Sequence, residues 1–215
     1  MNLDFTKERK QLVEQLQKEG RIISNDVEDA FLAVPREEFI PSKQKPYSYV
    51  DKPLDIGSNQ TISAPHMVAI MVEAIDLKKG QRILEIGAGS GYHAAIVSHI
   101  VGKEGEIISI ERIESLAESA KEHFKKAGIR NVKVIIGDGS MGLEKYAPYD
   151  NIYVTCAAPL IPKPLIDQLK KDGSLLIPVG DRICDLQKIT KKGDEISVEH
   201  LGGCAFVPLI GKHGF

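Results

Sequence analysis

"RILEIGAGSGYHAAIVSHIV", residues 82–101, decides the fold. A short apolar run enters a glycine-rich loop, Gly87 to Gly91, and leaves it as an apolar helix beginning at Tyr92. Strand, glycine loop and helix in that order open a βαβ unit, and the same rhythm continues downstream. "EIISIE" reads as the next strand, "IESLAESAKEHFKKAG" as a helix, "VKVIIGDG" and "YDNIYVTCAA" as further strands, "PKPLIDQLKKDG" as a helix and "SLLIPVG" as a fifth strand. Alternation of this kind predicts an α/β protein with a doubly wound, mostly parallel sheet and right-handed crossovers. Past Gly180 the pattern changes to two alternating runs around Lys192-Gly193, an antiparallel hairpin, with "CAFVPLIG" as a last strand candidate.

Upstream the chain reads as helical. "TKERKQLVEQLQKEG" places Leu12, Val13 and Leu16 on one face, and "SNDVEDAFLAVP" opens with Asn25 and Glu28 in capping-box spacing. "PREEFIPSKQKPYSYVDKPL" has no period and is expected as an extended connector. A helix capped by Ser63 follows, with Pro65 in its first turn, closing near Lys79-Gly80. One domain is expected: residues 1–79 a helical, substrate-side segment, 80–180 the cofactor-binding core, and 181–215 strands closing the cleft.

Composition narrows the partners. Twenty-eight Lys and Arg against 30 Asp and Glu leave a net charge of −2 with no basic stripe, so no nucleic-acid footprint is present. Cys156, Cys184 and Cys204 show no CxxC spacing, which fits a reducing compartment and neither a disulfide framework nor a metal site. The charged start "MNLDFTKERK" does not read as a signal peptide, and no apolar run reaches a membrane span. A cytoplasmic monomer, with no membrane or nucleic-acid partner, is expected.

The glycine loop lacks the lysine of a phosphate-binding P-loop, and a dinucleotide fingerprint counted from Gly87 meets Tyr92 at its sixth position. Glu85, two residues before Gly87, is expected at the loop's mouth. A carboxylate there repels a pyrophosphate and favours a cationic ligand such as S-adenosylmethionine, with its amino group and sulfonium. Glu111, ending the second strand of the unit, suits two ribose hydroxyls, a role that NAD shares. Asp138, in "GDGS" at the end of the third, suits an adenine amino group, although Asp138-Gly139 is also a strong turn pair. A plain strand-to-helix turn explains the glycines alone; three acids ending three successive strands favour a cofactor site. His93, His99 and His123 read as helix-surface residues, and Cys156 and Cys204 as core.

The stretch "SNQTISAPHMVAIM", residues 58–71, crowds hydrogen-bonding groups at a helix start. Together with "LEIGAGSGY", "IGDGSMG", "APYDNIYVTCAAPLIPKPLIDQLKKDGSLLIPVG" and "AFVPLIG", it resembles the protein-L-isoaspartate(D-aspartate) O-methyltransferases over nearly the whole chain. The resemblance implies a Rossmann-like methyltransferase fold and S-adenosyl-L-methionine as cofactor. It also implies methylation of the α-carboxylate of isoaspartyl residues in damaged proteins, with succinimide formation following. Carried over by position, Ser63 is the active-site residue, with Thr61, Ile62 and His66 beside cofactor and substrate. Glu85, Gly87 and Gly89 form the methionine-side loop, Glu111 the ribose acid and Asp138-Gly139 the adenine site. Val207, Leu209 and Ile210 close over the peptide. The chain departs from some relatives in stopping at "GKHGF". An ionised carboxylate needs no general base, so Ser63 is expected to orient it. A Ser63–His66 triad is disfavoured because no third group is evident. A methyltransferase for RNA or small molecules, or a non-catalytic binding module, would share the loop; the absent basic patch and missing Asn/Asp-Pro-Pro-aromatic motif argue against the former, and the intact serine and acids against the latter.

Overall fold

In a computed structural model describing residues 4–193 and 195–215, the chain forms one seven-stranded sheet, a small hairpin and six α-helices among the described residues. Two helices lead. In α1 (Phe5–Lys18) and α2 (Asn25–Ala33), Leu12, Val13, Leu16, Val27 and Phe31 face inward. The cap of α2 is Ser24, whose hydroxyl accepts from the Val27 N–H; Asn25 is already helical. The expected extended connector is more structured than its prolines suggested. It holds two 3₁₀ turns, Arg36–Phe39 and Ser42–Tyr47, and then a hairpin of β1 (Leu54–Gly57) with β2 (Gln60–Ile62). Ser58 and Asn59 make its turn at positive φ, the geometry that matches the twist of a tight hairpin.

The third helix, α3 (Pro65–Ile75), stops earlier than expected because Asp76 takes the left-handed conformation. The series β3 (Arg82–Ile86), α4 (Tyr92–Val101), β4 (Glu106–Glu111), α5 (Glu114–Lys126), β5 (Val132–Ile136) and β6 (Tyr149–Val154) follows as the periodicity predicts. The next helix, α6 (Lys163–Asp167), is one short turn, because Leu169 already pairs with Tyr149 and starts the long β7 (Leu169–Gly180). Strands β8 (Cys184–Lys192) and β9 (Glu195–Cys204) add the expected antiparallel hairpin. The expected last strand is instead an irregular segment touching the sheet by a single bridge, Ala157 to Pro208.

Sheet order is β5-β4-β3-β6-β7-β8-β9, parallel from β5 to β7. Two apolar clusters cover its faces. One joins the leading helices and α3 to α4 and α5; the other gathers Leu84, Ile86, Ile108, Ile110 and Ile152 with Leu165 beneath α6. Phe39 ties the N-terminal segment to the core, fully buried with its ring 5.8 Å from Tyr92 and 6.4 Å from Phe124. Removing a buried aromatic ring costs about 3–5 kcal/mol. Phe39→Ala is therefore expected to lower the unfolding free energy by that amount in urea titration, and an unchanged midpoint would deny Phe39 this linking role.

Candidate active site

After β3 the chain moves outward to β4 and β5; the neighbours on the other side, β6 and β7, arrive later. The order therefore reverses between β3 and β6, and an open α/β sheet leaves a crevice beyond the carboxyl ends at such a point. A cleft with about 530 Å³ of empty space lies there. Gly87, Gly89 and Gly139 form its floor, Glu111 and Thr155 face into it, Gln60 and Thr61 stand on one wall, and Val207 to Ile210 on the other.

Thr155 explains the first glycine. Its hydroxyl lies 2.7 Å from the Gly87 carbonyl and 3.1 Å from that of Ile86, and a Cβ at Gly87 would fall 2.4 Å from Thr155 Oγ1. Gly87 also sits at φ +93, where only glycine is unstrained. Glu111 fixes the far end of the loop. Its Oε2 accepts the Gly89 N–H at 2.9 Å and its Oε1 the Ile113 N–H at 3.0 Å. Each carboxylate oxygen keeps acceptor capacity toward the cleft. A concave pocket of glycines and apolar side chains, with Glu111 and Arg112 as its charged residues, fits the sugar and thioether end of an adenosyl cofactor.

Glu85 stands elsewhere than expected. Alternation along β3 turns it away from the face that presents Ile86 to the cleft, and it is wholly buried. Its strand neighbours are Ser109 on β4 and Tyr153 on β6. Both hydroxyls hydrogen-bond its carboxyl, the Tyr153 contact at 2.8 Å. Burial raises the Glu85 pKa to about 8, against the pull of those two bonds. The Glu85 carboxyl lies behind the loop, so it places no charge at the loop's mouth. His93, expected at the surface of α4, is also buried, stacked 4.5 Å from Tyr153, and burial lowers its pKa to about 3. His123 is half-buried with Nδ1 2.8 Å from the Ser90 carbonyl, and His99 is exposed.

The polar segment is held from two sides. Arg36, fully buried, donates from Nη2 to the Ser63 carbonyl at 2.8 Å, and its guanidinium lies 5.0 Å over the Tyr92 ring. Burial lowers its pKa to about 10, which leaves it charged at neutrality. Asp51 accepts from the His66 N–H at 2.9 Å and contacts His66 Nδ1 at 2.9 and 3.0 Å. Ser63 is therefore not the helix cap: Ala64 occupies that position, and the carboxylate of Asp51 satisfies the second amide of the helix. Asp51 also supplies the third group that the sequence did not reveal. Yet no hydrogen bond among the described residues joins Ser63 to His66, so the three do not form a relay. Ser63 and His66 are half-exposed, Thr61 is exposed at the cleft wall, and Ile62 is buried behind it.

Asp138 is partly exposed and already engaged. Its Oδ1 accepts from the Ser140 N–H and hydroxyl at 2.9 and 2.7 Å, and its Oδ2 from the Lys212 N–H at 2.8 Å. Burial opposes its charge, but these bonds outweigh that and hold its pKa below the usual carboxylate range. Gly139 faces the cleft beside it; Leu209 is buried, while Val207 is half-buried and Ile210 exposed at the wall. Sequence reasoning missed Arg36, Asp51 and Thr155. Arg36 and Thr155 carried no motif, and Asp51 lies 15 residues from its partner with nothing in between to link them.

Fold and cleft together define a Rossmann-like methyltransferase. Residues 7–214 match the family model for protein-L-isoaspartate(D-aspartate) O-methyltransferase. A Methanococcus aeolicus protein-L-isoaspartate O-methyltransferase is 54% identical over 209 residues, 97% of each chain, and one from Methanopyrus kandleri is 52% identical over 98% of this chain and 95% of its own. A solved protein-L-isoaspartate O-methyltransferase superposes with TM-score 0.88 at 34% identity over 96% of this chain and 67% of that one. A Plasmodium falciparum structure described as a putative enzyme of the same kind in complex with S-adenosyl-L-homocysteine gives 0.84 at 30% identity, over 94% of this chain and 98% of that one. The chain belongs to the protein-L-isoaspartate(D-aspartate) O-methyltransferase family.

The buried carboxyl makes a stability prediction. Glu85 keeps its proton in the folded state up to about pH 8, whereas the unfolded chain releases it near 4.5. Its own contribution to stability should therefore fall as pH rises from 4.5 to 8 and level off above, while the buried neutral His93 contributes in the opposite sense, rising up to about 6.5. Glu85→Gln removes only the Glu85 part, so the difference in unfolding free energy between wild type and variant should change steadily, to the disadvantage of wild type, in urea titrations from pH 5 to 8. Parallel profiles would mean that Glu85 is ionised in the fold.

Proposed function

We propose that the chain is a repair enzyme that moves a methyl group from S-adenosyl-L-methionine to the α-carboxylate of L-isoaspartyl residues in proteins and peptides. The observation that carries this is the cleft at the β3–β6 switch point, which sets the Glu111 carboxylate and glycine loop opposite Thr61 and the 207–210 segment. When bound, the cofactor supplies an electrophilic methyl group on a sulfonium. Gly87, Gly89 and Gly139 let the backbone approach it, and Glu111 accepts from the ribose. Ser63, relieved of capping by Asp51, presents its hydroxyl to the substrate carboxylate. Arg36 fixes the Ser63 carbonyl and so the direction of that hydroxyl. Val207, Leu209 and Ile210 hold the peptide from the other side.

An α-carboxylate, with a pKa of roughly 3.5, is ionised at neutral pH and needs no base. His66, held by Asp51 and unconnected to Ser63, fits a site that orients groups and does not abstract a proton. Alignment of nucleophile and methyl group can supply roughly 7–11 kcal/mol of the barrier. No described helix is long and apolar enough to cross a membrane. We place the enzyme in the cytoplasm, a choice supported by its unpaired cysteines, and propose that it acts there as a monomer on damaged polypeptides.

Labelled methyl transfer tests the substrate. An isoaspartyl peptide should take up label while its aspartyl twin does not, and equal labelling would reject the assignment. Ser63→Ala should keep its unfolding midpoint, since no cap is lost. Its turnover should drop roughly 10- to 160-fold, from loss of a charge-assisted hydrogen bond worth about 1.5–3 kcal/mol. Wild-type turnover in that variant would remove Ser63 from the site.

A further inference from the structure

The segment that walls the cleft is anchored at both ends. At its start, Ala157 N–H donates to the Val207 carbonyl at 2.8 Å, and Leu209 N–H to the Ala157 carbonyl at 2.7 Å. Beyond Ile210 the chain turns back, with Gly214 N–H on the Gly211 carbonyl at 3.0 Å and Phe215 N–H on that of Leu209 at 2.8 Å. The turn docks on the residues after β5. Lys212 N–H reaches Asp138 Oδ2 at 2.8 Å, and His213 N–H reaches Ser140 Oγ at 3.0 Å. The same Ser140 hydroxyl donates to Asp138 Oδ1 at 2.7 Å, and Ser140 is wholly buried. One serine thus closes a ring of bonds between the end of β5 and the final turn. Gly211 lies against it so tightly that a Cβ there would fall 2.0 Å from Asp138 Oδ1 and 2.7 Å from Ser140 Oγ.

We infer that Ser140 is a positioning residue that latches the C-terminal turn and thereby sets the height of Val207 to Ile210 over the cleft. The inference rests on reading that segment as the peptide-side wall. Gly139, between the two latch residues, lines the floor of the same cleft. The latch therefore joins the cofactor floor directly to the peptide wall. The final turn, "GKHGF", locks that wall from outside the cleft.

Two substitutions open the latch from opposite sides. Ser140→Ala removes the shared hydroxyl, and Gly211→Ala inserts a methyl group into the contact from a backbone outside the left-handed region. Each should speed amide hydrogen exchange at Lys212 and His213 and raise KM for an isoaspartyl peptide roughly 2- to 12-fold, the range for one lost hydrogen bond, with kcat within about threefold of wild type. Because both act on one contact, the double variant should be no worse than the poorer single one. Should Ser140→Ala fail to fold by circular dichroism, Gly211→Ala alone decides. Faster exchange with an unchanged KM, unchanged exchange in a folded variant, or a double variant multiplying the two single effects would overturn the latch. If the wild-type protein methylates no isoaspartyl peptide, the functional proposal fails by itself. Hydrogen exchange and calorimetric binding of the peptide with S-adenosyl-L-homocysteine present then judge the latch.

Discussion

Parallel pairing of β3 with β4 on one side and β6 on the other sends the chain out of the sheet at the same end from all three strands. Their following loops therefore crowd one rim, and reversal of strand order between β3 and β6 splits that rim into a crevice. Glu111 ends β4, Thr155 follows β6, and the glycine loop follows β3, so one hydrogen-bonding register brings together residues far apart in sequence. The Thr155 contact to Gly87 and the Glu111 contact to Gly89 are local consequences of that pairing.

Beneath the rim the sheet hides a different polar group. Glu85, Ser109 and Tyr153 are side-by-side neighbours across three strands, and their hydrogen bonds satisfy groups that apolar packing would otherwise strand. The Glu85 carboxyl in that triplet is a structural support behind the floor. The floor above it has no lysine-bearing phosphate loop and is shaped by its glycines and the Glu111 carboxylate.

The other wall depends on long-range polar ties. Arg36 reaches the Ser63 carbonyl and Asp51 reaches His66, so two residues of the irregular N-terminal segment define the turn between β2 and α3. Asp138 and Ser140 hold the tail in a comparable way. Each tie puts a charged or hydroxyl side chain on a backbone amide or carbonyl. Such bonds fix a loop's position without demanding a regular element, which is how both walls are built from segments that are neither long helix nor core strand.

Sequence by itself determined the βαβ series, because hydrophobic runs of strand length followed by amphipathic helices with glycine stops are local signals. It also determined the glycine loop, the Glu111 position and the C-terminal hairpin at Lys192-Gly193. It did not determine the ends of α3 and α6, where a left-handed Asp76 and pairing of Leu169 with Tyr149 overrode helix-compatible residues. The turns and hairpin of residues 36–62 were equally hidden, since prolines mark irregularity without stating its form. Most consequential was direction: whether Glu85 faces the cleft or the core depends on which face of β3 the glycine loop continues, and no local pattern encodes that. The capping of α3 by Asp51 instead of Ser63, the buried charge of Arg36 and the folding of the tail onto Asp138 were decided by tertiary structure alone. Each joins residues 15 or more positions apart, and only the packed chain brings their charges and amides within bonding distance.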